Sequence, residues 1–328
     1  MTKAVYRKPR LTIVIPVWNR QLLGERALRS AAAQLAAQVE VVIVDDASEP
    51  PFRVPADLLS NGSIRLLRLA ENRGAGFARN AGIASAEAAW VAFLDSDDYW
   101  LAGTLEPRLG AAEADFAIDR DPMAVHAAGI VQEHSLTGRK QTRIPRESAA
   151  PLDFASACWF APGSTMLARK EVFDRVGPFD VELRRLEDLD WFLRLALRGG
   201  RVKIWNRPAA VIECGSQSAA AHLPHAAARL SRKYLAKASP DRLPSKLARR
   251  LRAYLNIERA AVCRRQGYWF GLLFYLGWSF CLVPRATLHL ARFWRFEAPP
   301  LDLVPAGDVG LDAPAQGATT SRSLPPAG

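Results

Sequence analysis

The chain has 328 residues, 49% of them hydrophobic and 23% charged, a balance that permits a buried core and excludes a wholly disordered protein. The formal net charge is +11, but residues 1–220 are nearly neutral at about +1, whereas residues 221–300 carry about +12. That basic block lacks zinc-finger spacing and an RNA-binding aromatic signature, which argues against nucleic acid; it adjoins the most apolar segment and suits an anionic membrane surface.

Residues 11–17 (LTIVIPV) read as a buried parallel strand, short, continuous and β-branched. The run is too short for a signal peptide and holds a proline, so the protein is expected to stay in the cytoplasm. A helix is predicted over 21–37, a second strand over 39–44 ending in Asp45-Asp46, and a loop at Pro50, Pro51 and Pro55. A third strand follows over 64–69, a turn over 72–76, a helix over 77–86, and a fourth strand over 90–94 ending in Asp95-Ser96-Asp97-Asp98. This alternation predicts an α/β fold with a mostly parallel, Rossmann-like sheet. Strands are expected at 124–131 and 164–168. A helix is expected at 187–198, with Leu189, Phe192, Leu193, Ala196 and Leu197 on one face and Asp190, Arg194 and Arg198 on another. Residues 222–266 read as helical and basic, and residues 266–284 as an uncharged, largely apolar run. Residues 297–328 read as a Pro-, Ala- and Gly-rich disordered tail. Three units follow: residues 1–220, a helical extension over 221–296, and the tail. The cysteines Cys158, Cys214, Cys263 and Cys281 are scattered without metal-ligand spacing and read as apolar fillers in a reducing compartment.

Two acidic clusters stand at the C-terminal ends of predicted parallel strands, where ligands of open α/β sheets bind. Carboxylates there also cap the following helices. Three carboxylates within Asp95–Asp98 repel one another, and a divalent cation such as Mg²⁺ or Mn²⁺ would compensate that charge.

With these residues in view, the chain resembles family 2 of the inverting glycosyltransferases, which have the GT-A fold. The matching pieces are TIVIPVWN (12–19), VVIVDDAS (41–48), ENRGAGFARNAG (71–82), FLDSDDYW (93–100), GSTMLARKEVFDRVGPFD (163–180) and EDLDWFLRLALRG (187–199), in order and spacing. The resemblance covers roughly residues 10–215 and implies the following roles. Asp46 is similar to the carboxylate that bonds the nucleobase, and Pro16 and Asn19 line the nucleotide pocket. Asn72, Gly74, Arg79 and Asn80 resemble the segment beneath nucleotide and sugar. Asp95 and Asp97 match the DxD pair, Asp97 as the metal ligand and Asp95 facing the donor's ribose or sugar. Asp188 resembles the catalytic base. Alternatives stay open: Arg79 as a surface helix arginine, Asp188 as a helix-terminal carboxylate, and Trp159, Phe160 and Trp191 as acceptor-stacking or core aromatics.

The chain departs from the pattern at Ala102, where relatives often have proline, and at residues 211–218 (VIECGSQS), where many carry arginine and histidine. Here stand Glu213 and Cys214, with His222 nearby as a substitute or a structural residue. The implied function is transfer from a nucleotide-diphosphate sugar, foremost a UDP-sugar, to a glycan or lipid-linked hydroxyl acceptor. The setting would be cell-surface polysaccharide or lipopolysaccharide synthesis. The rivals are transfer to polyprenyl phosphate, and a non-catalytic module binding nucleotide sugar or membrane. Arginines flank the apolar run on both sides, so a single span fits the positive-inside bias poorly. An in-plane or re-entrant hairpin, with Tyr268, Trp269, Trp278 and Trp294 at the interface, is expected instead.

Overall fold

The computed structural model describes residues 8–35, 38–59, 62–134, 138–214, 221–284 and 293–297. The first hundred residues form β1 (Leu11–Val17), α1 (Gln21–Ala32), β2 (Val39–Asp45), β3 (Ile64–Arg68), α2 (Ala75–Ser85), β4 (Trp90–Phe93) and β5 (Tyr99–Trp100). Then come α3 (Leu105–Asp119), β6 (Ala124–His134), β7 (Lys140–Pro145), α4 (Pro151–Phe154), α5 (Pro162–Thr165), β8 (Leu167–Arg169), α6 (Glu171–Val176) and α7 (Glu187–Leu197). The chain continues through β9 (Arg201–Cys214), α8 (Leu223–Leu235), α9 (Ser245–Arg265), α10 (Trp269–Leu282) and β10 (Trp294–Glu297).

Every residue of β1 and β2 is buried, as a central parallel strand requires. Alternate side chains enter two cores. Leu11, Ile13 and Ile15 pack with Ala27, Leu28 and Ala31 of α1 and with Leu105 and Leu109 of α3. Val14, Val42 and Val44 face Ala78 and Ile83 of α2 and the buried stripe of α7. Helix α2 lies so close to β1 that a Cβ at Gly82 would meet Val14 at 2.3 Å, which is why glycine stands there.

The sheet runs β10-β7-β6-β8-β4-β1-β2-β3, with β9 pairing β6 and β5. Strands β3, β2, β1 and β4 are mutually parallel. Beyond β4 the pairing with β8, and of β6 with β8 and β7, is antiparallel, so the whole sheet is mixed rather than mostly parallel. The chain steps outward from β1 to β2 and β3, then returns to β4 on the other side of β1. A crevice opens at such a reversal, beyond the strands' C-terminal ends.

Several expectations need correction. Helix α1 stops at Ala32 rather than Ala37, and the strand expected at 164–168 is a helical turn, α5, followed by β8. The stripe of α7 is buried at Leu189, Phe192, Leu193 and Ala196, but Leu197 is 41% exposed. Asp190, assigned to a polar face, is buried; it accepts from Arg194 Nε at 2.9 Å, Lys233 Nζ at 2.6 Å and the Tyr234 hydroxyl at 2.7 Å, pinning α8 to α7. Leu223, Leu230, Leu251 and Leu255 of α8 and α9 share the core of Val14 and Phe192, so the basic helical segment is packed into the α/β body. Trp294 lies in β10 opposite Pro145, on the sheet edge. Glu297 ends that strand; the rest of the expected tail lies outside the described residues, as do Arg285 and Arg292. Among the described residues no helix is long and apolar enough to cross a membrane. Cys158, Cys263 and Cys281 are free thiols, and the Cys214 side chain lies outside the description.

Candidate active site

A cleft of about 720 Å³ opens at the reversal of strand order and is lined by Pro16, Asn19, Asp46, Asn72, Gly74, Arg79, Asp95, Asp97 and Asp188 among others. Residues expected to act together, and spread over 170 positions of sequence, thus meet at one place. Asn80 does not line it. Its amide accepts from Phe179 N and donates to Phe179 O, both at 2.9 Å, and so clamps α2 to the segment before α7.

The loop after β2 is built by the two aspartates in different ways. Asp45 is fully buried and accepts from the backbone N–H groups of Ser48 at 2.9 Å and Phe52 at 3.0 Å and from Arg68 at 2.5 Å. Burial opposes its charge, yet the Ser48 and Phe52 hydrogen bonds and Arg68 hold its carboxyl below the usual range. Asp46 instead reaches across to the next loop, accepting from Asn72 Nδ2 at 2.9 Å, Arg73 N at 3.0 Å and Gly74 N at 2.7 Å. Asn19, left-handed at φ 51°, donates its N–H to Ser48 Oγ at 2.9 Å and accepts from Glu49 N at 2.7 Å. Asparagine is among the few residues that take this conformation readily.

The acidic segment after β4 is held from both sides. Arg79, buried on α2, ion-pairs with Asp95 at 2.6 Å and with Glu187 at 2.8 Å, which removes the surface-arginine reading. Asp97 pairs with Arg20 at 2.6 Å, and Arg26 donates to the Asp97 carbonyl at 2.6 Å and to Glu213 at 3.0 Å. Burial, and then the charge of Asp95, push the Asp97 carboxyl up despite Arg20. Asp98 is buried, accepts from Ser164 Oγ at 2.5 Å and Glu213 N at 3.2 Å, and is raised well above the carboxylate range by burial and its two neighbours. Gly163 lets α5 approach this segment: a Cβ there would lie 2.0 Å from Asp95 Oδ2.

Asp188 sits in the first turn of α7, where the helix dipole favours a carboxylate. Leu186, two residues earlier, is left-handed at φ 62°; after this turn Glu187 pairs with Arg79, and both Glu187 and Asp188 line the cleft. Burial, then the charge of Glu187, push Asp188 up to about 6, while Leu189 N–H and Arg79 pull the other way. Trp159, Phe160 and Trp191 are at most 2% exposed and pack with Phe154, Phe192 and Phe293, so they belong to the core. His222, at the start of α8, lines the cleft.

Sequence reasoning missed Arg20, Cys158, Arg184, Arg185, Tyr254 and Glu258, all of which also line the cleft. Some signal was available. Arg20 directly follows Asn19, the two arginines directly precede the Leu186-Glu187-Asp188 stretch, and Glu258 is the one acidic residue in the 21 residues of α9.

The sequence profile of glycosyl transferase family 2 matches residues 12–177. Over 212 residues the chain is 31% identical to the succinoglycan biosynthesis protein ExoO of Rhizobium meliloti, covering 61% of this chain and 60% of that one. An uncharacterized glycosyltransferase of Haemophilus influenzae is 30% identical over 188 residues, 56% of this chain and 61% of its own. The chain therefore spans about three fifths of the length of these curated relatives. The S. aureus TarS fragment solved in complex with UDP-GlcNAc superposes with a TM-score of 0.53 at 19% identity, covering 86% of this chain and 83% of that one, and shares the fold. The profile match extends over half of the sequence, from β1 through both acidic clusters to the end of α6: the chain belongs to glycosyl transferase family 2.

Proposed function

We propose that the chain transfers a sugar from a nucleotide-diphosphate donor, foremost a UDP-sugar, to a hydroxyl of a lipid-linked glycan, with inversion at the anomeric carbon. The observation carrying this reading is the convergence of Asp46, Asp97 and Asp188 on one cleft at the sheet's reversal. The TarS complex with UDP-GlcNAc supports a UDP-sugar as donor.

The acidic segment fits a divalent cation by its chemistry. Asp95 and Asp97 line the cleft two residues apart and offer hard oxygen ligands. Among the described residues no three His, Cys, Asp or Glu side chains converge as a complete ligand set. Mg²⁺ characteristically takes one or two carboxylates and completes its shell with phosphates and water. A bound Mg²⁺ or Mn²⁺ would neutralise charge developing on the departing diphosphate. Asp188 accepts the proton of the acceptor hydroxyl as its oxygen attacks the anomeric carbon and the bond to the diphosphate breaks on the opposite face. A positioned base contributes typically ~10²–10⁴-fold. Arg20 stands beside Asp97 as a cation within reach of the same pocket end.

The test is incubation with UDP-sugars and a lipid extract, reading UDP release and the product's anomeric configuration by NMR. Release with inversion is expected. Retention of configuration would refute the mechanism, and nucleotide binding without release would favour a non-catalytic module.

Membrane contact is the second part of the proposal: the chain works peripherally on the cytoplasmic face. Helix α10 folds back on α9, with Ser279 Oγ donating to Ala253 O at 3.0 Å. Its outer side leaves Trp269 64%, Phe270 82%, Leu273 67% and Phe274 59% exposed, beside Arg264 and Arg265 at the end of α9. At ~1.5 Å per residue a helix of this length reaches ~21 Å, short of the ~30 Å hydrocarbon core, which favours lying in the interface. The full chain should sediment with phosphatidylglycerol vesicles at low salt and not with phosphatidylcholine alone. Phe270→Glu with Phe274→Glu should abolish this. Wild-type chain left wholly in the supernatant would contradict it.

A further inference from the structure

We infer that Arg185, Tyr254 and Glu258 form the acceptor subsite beside Asp188, and that it takes a neutral, hydroxyl-rich sugar ring rather than a phosphate; this rests on the proposed transferase reading. Helix α9 carries Tyr254 and Glu258 one turn apart, so both face the same side, and both line the cleft with Cys158 and Asp188. The Tyr254 hydroxyl donates to Glu258 Oε1 at 2.7 Å, and Arg185 Nη2 donates to Glu258 Oε2 at 2.5 Å. The neighbouring Arg184 turns the other way, donating to Asn72 Oδ1 and O, both at 2.7 Å. Two adjacent arginines thus divide the cleft, one bound to the loop that Asp46 organises and one to α9.

The hydrogen-bonding capacity of this end matches sugar hydroxyls, which donate and accept. Each Glu258 oxygen keeps a lone pair after accepting its one bond, and the Tyr254 oxygen can still accept. Charge argues against an anionic nucleophile. Glu187, Asp188 and Glu258 gather here, with Arg79 already committed to Glu187 and Asp95, and Arg185 to Glu258. A phosphate nucleophile would meet this carboxylate excess and would need no base; a sugar hydroxyl needs one and meets no repulsion.

The experiment is saturation-transfer NMR on the full chain loaded with UDP and Mn²⁺, using methyl β-D-glucoside, methyl β-D-galactoside and methyl β-N-acetylglucosaminide as neutral probes and farnesyl phosphate as the anionic one. Calorimetry of UDP on the same samples reports the donor side. At least one glycoside should give saturation transfer. Glu258→Gln should weaken it at least ~10-fold and Tyr254→Phe, which keeps the ring packed, about 5-fold, while UDP affinity stays within twofold. Farnesyl phosphate binding in preference to every glycoside, no glycoside signal in wild type, or a signal unchanged in both variants would overturn the subsite. Loss of UDP binding by wild-type chain would instead overturn the transferase reading itself.

Discussion

Asp188→Asn is expected to lower the turnover number at least ~10²-fold while donor affinity moves by less than ~1 kcal/mol. A base acts in the transition state, and the residues proposed for nucleobase and cation, Asp46 and Asp97, are held by other partners than Asp188. Proton acceptance also sets a pH dependence. Asp188 is pushed up to about 6, so the wild-type rate should fall roughly tenfold per pH unit below that value, and the residual rate of the variant should lack this limb. Stability carries the opposite sign. The native carboxyl binds its proton more tightly than the unfolded one, whose ordinary value is 3.8, so Asp188 costs stability progressively as pH rises from about 4 through about 6. At pH 7 the asparagine variant should therefore be at least as stable as wild type by urea unfolding. A carboxylate serving only the helix terminus would show the reverse, with stability lost by ~1 kcal/mol and turnover per folded molecule unchanged.

Arg79→Ala should produce the largest loss of stability in the cleft. The guanidinium is 7% exposed and neutralises two carboxylates, Asp95 at 32% exposure and Glu187 at 13%. Removing one partner of a buried ion pair typically costs ~3–5 kcal/mol, because the other charge is left uncompensated. Asp95 can recover some hydration, which places the expectation near ~3 kcal/mol, read as a lower urea midpoint with an unchanged slope. Arg79→Lys should recover only part of it, since one ammonium cannot reproduce the fork that reaches both carboxylates. A midpoint within experimental error of wild type for Arg79→Ala would show that the pairs are not needed to hold α2, β4 and α7 together.

How much of this was written in local sequence differs by element. The strands β1, β2 and β4 and the acidic clusters behind them were legible because parallel central strands are continuous apolar runs and their ends are marked by polar residues. Helix α7 was legible from its stripe. Strand β9 was not: Lys203, Asn206 and Arg207 interrupt it, and its continuity comes from pairing with β6 across a bulge near Gly129 and then with β5. The α9 side of the cleft was hidden for a similar reason. Glu258 meets Arg185 across 73 positions, and although it is the one acidic residue of α9, the helix sequence does not say which distant residue it turns toward. Asp190 was misread because a buried carboxylate is legible only once Lys233 and Tyr234 are seen to close on it.

The donor-site assignment is tested most directly by calorimetric titration of UDP into the chain with and without Mn²⁺, for wild type and Asp97→Ala. Wild type should bind more tightly with Mn²⁺. In the variant that gain should vanish while metal-free affinity holds or improves, because Arg20, now ion-paired to Asp97 at 2.6 Å, is freed to meet the diphosphate. An Mn²⁺-dependent gain of the same size in both proteins would contradict Asp97 as the cation's ligand, and no UDP binding to wild type under either condition would contradict the cleft as the donor site.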